Sequence, residues 1–136
     1  MSDILDQIQS KIRSNILINH DMSRSTWFRT GGNANGYVVI NDISDLKTII
    51  SFADYIKYYI MGAGSNLMVR DKGYDGLIIK LGRNFNNIKI KKNILSVGAA
   101  VLDVNLAKFA TKNLIKGFEF FNGIPGSIGG AVKMNA

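Results

Sequence analysis

The feature that most constrains this chain is a β-α-β pattern over residues 37–61. Tyr37-Val38-Val39-Ile40 reads as a strand, Asn41-Asp42 as a turn, and Ser44 as the N-cap of a helix over residues 45–57. Leu46, Ile49, Ile50, Ala53 and Ile56 recur at helical spacing and predict its buried face. Tyr58-Tyr59-Ile60-Met61 is the next strand. Such a unit makes the two strands parallel, with a right-handed crossover. Its carboxyl end, where ligands of α/β sheets commonly bind, runs directly into Gly62-Ala63-Gly64-Ser65-Asn66.

That loop can turn several backbone N–H groups one way, because Gly62 and Gly64 tolerate positive φ and add no bulk. Ser65 and Asn66 add side-chain donors, so the segment can cradle a phosphate or pyrophosphate. It is neither common nucleotide motif. The dinucleotide fingerprint needs a third glycine where Leu67 stands, and no Gly-Lys-Ser/Thr follows as a P-loop requires. Leu67-Met68-Val69 reads as a short strand rather than a helix, and residues 70–76 as turns.

The rest of the chain supplies the surroundings. Residues 3–13 predict a helix with Ile4, Leu5, Ile8 and Ile12 on one stripe. Residues 14–36 read as irregular; within them Trp27 and Phe28 are expected to anchor a loop that Gly31-Gly32 turns, with Arg29 able to face a ligand. His20 is expected at the surface. Residues 76–81 form a strand, and Ile88–Lys91 with Ile94–Val97 a hairpin, one face buried and the other carrying lysines. Asp103 caps a helix over residues 104–113, and Asn113 takes the left-handed conformation at its end. A second glycine-rich stretch, residues 122–132, holds the single proline, Pro125. It suits backbone that closely approaches a flat or phosphorylated ligand.

Composition narrows the class. The chain has 136 residues, 46% hydrophobic and 20% charged, which is globular. With no cysteine and one histidine, neither a disulfide framework nor a protein-based transition-metal site is expected. Neither a signal peptide nor a membrane-length apolar run is evident, which predicts a cytoplasmic protein without a membrane partner. The net charge of +7 suits phosphorylated ligands or nucleic acid. Alternation explains Lys89 and Lys91 without nucleic acid, and that reading is favoured.

Three blocks in order resemble the UDP-N-acetylenolpyruvoylglucosamine reductase (UDP-N-acetylmuramate dehydrogenase) family: residues 26–32, residues 62–71, and residues 117–136 ending in Met134-Asn135-Ala136. The resemblance covers roughly residues 20–136. It implies an α+β FAD-binding domain of two subdomains, of the vanillyl-alcohol-oxidase-like (PCMH) type, with the cofactor between them. The implied division is a lead-in at 1–24, a first subdomain at 25–81, and the start of a second at 82–136. In the family NADPH reduces FAD, and the flavin then reduces the enolpyruvyl group of a UDP-sugar to give a peptidoglycan precursor. By position, Gly62, Ala63, Gly64, Ser65, Asn66 and Leu67 would hold the FAD pyrophosphate. Ile124, Pro125, Gly126, Ser127, Gly129, Gly130 and Ala131 would line the cofactor from the other side.

The family pattern continues beyond Ala136, and its catalytic serine, glutamate and arginine lie in that continuation. The resemblance therefore assigns no catalytic residue to this chain and predicts an incomplete second subdomain with no complete reductase activity. The alternatives are a standalone flavin-binding module that needs a partner chain and, less favoured, a basic nucleic-acid-binding domain. Oligomeric state is not legible.

Overall fold

The computed structural model describes residues 2–136. In chain order the elements are α1 (Ser2–Gln9), β1 (Ile16–Asp21), β2 (Asn33–Ile40), α2 (Ile43–Ile50), β3 (Tyr58–Met61), β4 (Tyr74–Leu81), β5 (Ile88–Lys91), β6 (Ile94–Val97), α3 (Asp103–Lys112) and α4 (Ile128–Met134). The class is α+β, as expected. No described helix is long and apolar enough to cross a membrane.

Four strands form one sheet in the order β1-β2-β4-β3. β1 runs antiparallel to β2, whereas β2, β4 and β3 are mutually parallel through β4. The β-α-β unit is thus present, but β4 is inserted between its two strands. Alternation along β2 and β4 sorts side chains to the two faces. Val38, Ile40, Leu77 and Ile79 pack with Leu5, Ile8, Ile12 and Ile49 beneath α1 and α2. Tyr37 and Ile78 pack on the opposite face with Met22, Met61 and Val69.

Several expectations give way. Residues 14–36 are not irregular: they contain β1 and the start of β2. Pairing with β2 makes β1 a strand, and its polar second half, Asn19-His20-Asp21, hid it. α1 stops at Gln9, short of residue 13, where Gln9 turns back to accept from Ile16 N–H and donate to the Ser14 carbonyl. α2 is capped by Asp42 rather than Ser44, because the Asp42 carboxylate accepts from Ser44 N–H at 2.9 Å. It ends at Ile50, leaving Ile50 and Ala53 exposed. Asp45 is buried in this helix, and its carboxylate accepts from Arg13 N–H (3.2 Å), Ser14 N–H (2.9 Å) and Ser14 Oγ (2.7 Å). Asp45 and Ile49 are the residues of the helix that face inward.

Residues 67–69 form no strand; Val69 is buried without a ladder partner. The β5–β6 hairpin forms in the expected antiparallel register, with Lys92 at φ 54° in its turn. It is a separate two-stranded sheet, and Ile90 and Ile94 are exposed, so it has no fully buried face. Leu102, not Asp103, is the N-cap of α3, and Leu114, not Asn113, carries the positive φ after it.

Candidate functional site

At the carboxyl end of β3, Met61 is buried and the chain leaves the sheet at Gly62. Gly64 sits at φ +75°, and a Cβ there would lie 2.8 Å from the Ser25 carbonyl oxygen. Trp27 N–H donates to the Gly64 carbonyl at 3.0 Å, and Gly32 N–H to the Arg70 carbonyl at 3.0 Å. The 25–32 segment therefore braces the glycine loop through its backbone. Its aromatic side chains do not anchor it: Trp27 is 59% exposed and Phe28 is exposed as well, while Thr26 is the buried residue. His20, expected at the surface, is half-buried. It stacks on Tyr37 at 4.4 Å, with Nε2 2.9 Å from Ser25 Oγ, and burial lowers its pKa against the opposing pull of Asp21.

A second wall comes from the far end of the chain. Leu102 forms a bridge with Ser127, and Ile128 and Gly129 N–H donate to the Val101 and Ala99 carbonyls, each at 2.9 Å. These bonds lay residues 124–130 along the start of α3. The glycine-rich stretch is thus a loop that becomes a helix, α4, at Ile128. The two loops meet directly. Ser65 Oγ donates to the Pro125 carbonyl at 2.7 Å, and a Cβ on Gly62 would meet Ser127 Oγ at 2.6 Å.

Between the walls lies a cavity of about 720 Å³, within the range of small-molecule sites. Every residue singled out in the two loops lines it: 62–67, 124–127 and 129–131. So do Tyr58, Tyr59, Lys80, Ala99, Ala100, Asp103 and Lys133, which motif reading did not single out as site residues. Lys80 reaches the site because β4 is beside β3, pairing Lys80 with Met61. Asp103 carries a signal only in three dimensions: it is buried, and burial raises its pKa. Among the described residues no hydrogen bond donated by the backbone N–H groups of 62–66 is found, so they are available to meet an anion. No described cluster of three His, Cys, Asp or Glu side chains could hold a metal ion. The arrangement offers hydrogen bonds and positive charge and no metal chemistry from its own residues.

Residues 34–136 match the FAD binding domain family. The chain belongs to that family, and its cofactor is FAD. Among curated proteins it is 48% identical over 118 residues to the UDP-N-acetylenolpyruvoylglucosamine reductase of Rickettsia typhi, covering 86% of this chain and 40% of that one. It is 42% identical over 132 residues to the enzyme of the same name from Pelagibacter ubique, covering 96% of this chain and 44% of that one. The crystal structure of UDP-N-acetylenolpyruvylglucosamine reductase from Thermus caldophilus superimposes with a TM-score of 0.73 at 32% identity, over 91% of this chain and 42% of that one. These matches bear out the FAD-binding fold expected from sequence. The chain spans about 40% of the length of the curated relatives it matches.

Proposed function

We propose that this chain forms the FAD-binding part of an NADPH-dependent reductase that converts UDP-N-acetylenolpyruvoylglucosamine to UDP-N-acetylmuramate for peptidoglycan synthesis. The observation that carries the reading is the Ser65–Pro125 contact, which closes two glycine-rich loops around one cavity. Similarity to reductases named for that UDP-sugar supplies the substrate class. On this reading the protein works in the cytoplasm on a small-molecule substrate, without nucleic acid or membrane.

The residues present fit FAD. Free N–H groups at 62–66 suit the diphosphate, and Lys80 and Lys133 bring positive charge to the same cavity. Ile124, Pro125, Gly126, Ser127, Gly129, Gly130 and Ala131 form the facing wall, where small residues let a large ligand approach the backbone. When bound, FAD supplies hydride acceptance and donation. The chain's own part is to bind, orient and shield the cofactor. None of its residues is assigned an acid, base or nucleophile role. The division proposed is a lead-in at 1–24, a first subdomain at 25–81 and the start of a second at 82–136; β1 of the first sheet falls in the lead-in, and the cavity lies between the β3 loop and the α3–α4 region.

Titrating the chain with FAD while following flavin absorbance and fluorescence tests the binding step. Saturable uptake with a shifted flavin spectrum is the expected result, and no uptake rejects the reading. Assaying NADPH oxidation with the UDP-sugar present tests the rest: this chain by itself should give no complete turnover, because its relatives use a longer chain.

A further inference from the structure

Asp103 opens α3 against the second loop, with its N–H donating to the Gly126 carbonyl at 3.2 Å. Its side chain is 1% exposed, and neither carboxyl oxygen has a hydrogen-bond partner among the described residues. Oδ2 lies 2.8 Å from where a Cβ on Gly126 would stand, so the carboxyl occupies the cavity wall. Ser127, 2% exposed, is the neighbouring case: its Oγ is also unpaired and lies against Gly62. Buried polar groups nearly always have partners, because an unpaired one forfeits its hydration. Two such side chains in one wall of one cavity point to a partner carried by the ligand.

The surroundings favour the neutral form more than they would for an exposed aspartate. Burial raises the Asp103 pKa, and no other group contributes to its shift. Lys80 on β4, Lys133 on α4 and Tyr58 and Tyr59 on β3 line the same cavity, yet none pairs with it. A bare carboxylate here would repel a diphosphate, whereas a neutral acid can donate a hydrogen bond to it.

We propose that Asp103 is a cofactor-binding residue that hydrogen-bonds the ribityl–diphosphate arm of FAD, with the Ser127 hydroxyl beside it. This rests on the FAD reading above and adds a residue that loop motifs do not contain.

The test compares wild type, D103A and D103N by flavin titration across pH, alongside thermal melts without flavin. D103A should weaken FAD binding about tenfold or more while the flavin-free Tm holds or rises, since an unpaired buried group is gone. D103N keeps a donor and should stay within about threefold of wild type at low pH. Wild-type affinity should fall as pH rises through the raised Asp103 pKa, and D103N should not follow it. Riboflavin, which lacks phosphate, separates the two sources: a D103A penalty seen with riboflavin places the bond on a ribityl hydroxyl, and one confined to FAD places it on the diphosphate. D103A binding FAD as wild type does overturns the assignment alone. If D103A fails to fold, identical pH profiles for wild type and D103N overturn it. No FAD uptake by wild type overturns both this and the proposed function.

Discussion

The Ser65 hydroxyl donates to the Pro125 carbonyl oxygen at 2.7 Å, joining positions 60 residues apart in the chain. This single bond ties the loop after β3 to the loop before α4, and the cavity lies between them. Its partners are a side chain and a backbone carbonyl, so the contact sets the spacing of the two walls without consuming the loop's N–H groups.

Removing it should loosen the site more than the fold. S65A is expected to weaken FAD binding roughly three- to tenfold, the value of one hydrogen bond, while the thermal midpoint moves little. Flavin titration and a melt on the same sample check both halves.

Gly62 and Gly130 make a matched pair. A methyl at Gly62 would meet Ser127 Oγ at 2.6 Å, whereas at Gly130 the nearest atom is the same oxygen at 3.4 Å. G62A should therefore push the walls apart and cost about tenfold in FAD affinity, with G130A close to wild type. Equal affinities for the two variants would show that the approach of Gly62 to Ser127 does not govern the site.

Gly64 is constrained by conformation as well as by space. Its φ of +75° and the Ser25 carbonyl 2.8 Å from an added Cβ both oppose a side chain. G64A should cost about 1–2 kcal/mol of stability from backbone strain alone. Urea denaturation measures this directly.

Asp45 should hold the first sheet's entry segment in place. Burial acts to raise its carboxyl, and hydrogen bonds from the Ser14 side chain, Ser14 N–H and Arg13 N–H outweigh that, so its pKa is lowered. D45A strands those donors and should destabilise the chain by about 2–3 kcal/mol. Because the folded pKa lies below the unfolded one, the stabilisation is complete above the unfolded value of about 3.9 and fades as pH falls through the folded value. Denaturation midpoints of wild type and D45A should therefore converge in acid and separate towards neutrality.

Much of this organisation was legible in local pattern. The strands around residues 37–40, 58–61 and 76–81 announce themselves by apolar runs, and the hairpin register by its turn at Lys92-Asn93. β1 was not legible, because Ile16–Asp21 carries Asn19, His20 and Asp21 and becomes a strand by pairing with β2. Trp27 and Phe28 misled for the opposite reason: large aromatic rings suggest an anchor, yet the segment is held by backbone bonds to Gly64 and Arg70. Asp103 reads from sequence as an ordinary helix cap, and only packing of Gly126 against it removes its water.

The sequence by itself determined the two glycine loops, their order and their small-residue character, because backbone that must approach a ligand closely leaves few residue types possible. The tertiary structure alone decided that they face each other. Insertion of β4 beside β3 brought Lys80 to the cavity, and the pairing of Leu102 with Ser127 turned residues 124–131 towards the loop of Gly62. Local pattern specifies what each loop can offer a ligand; contacts between residues far apart in the chain specify which offers converge on one place.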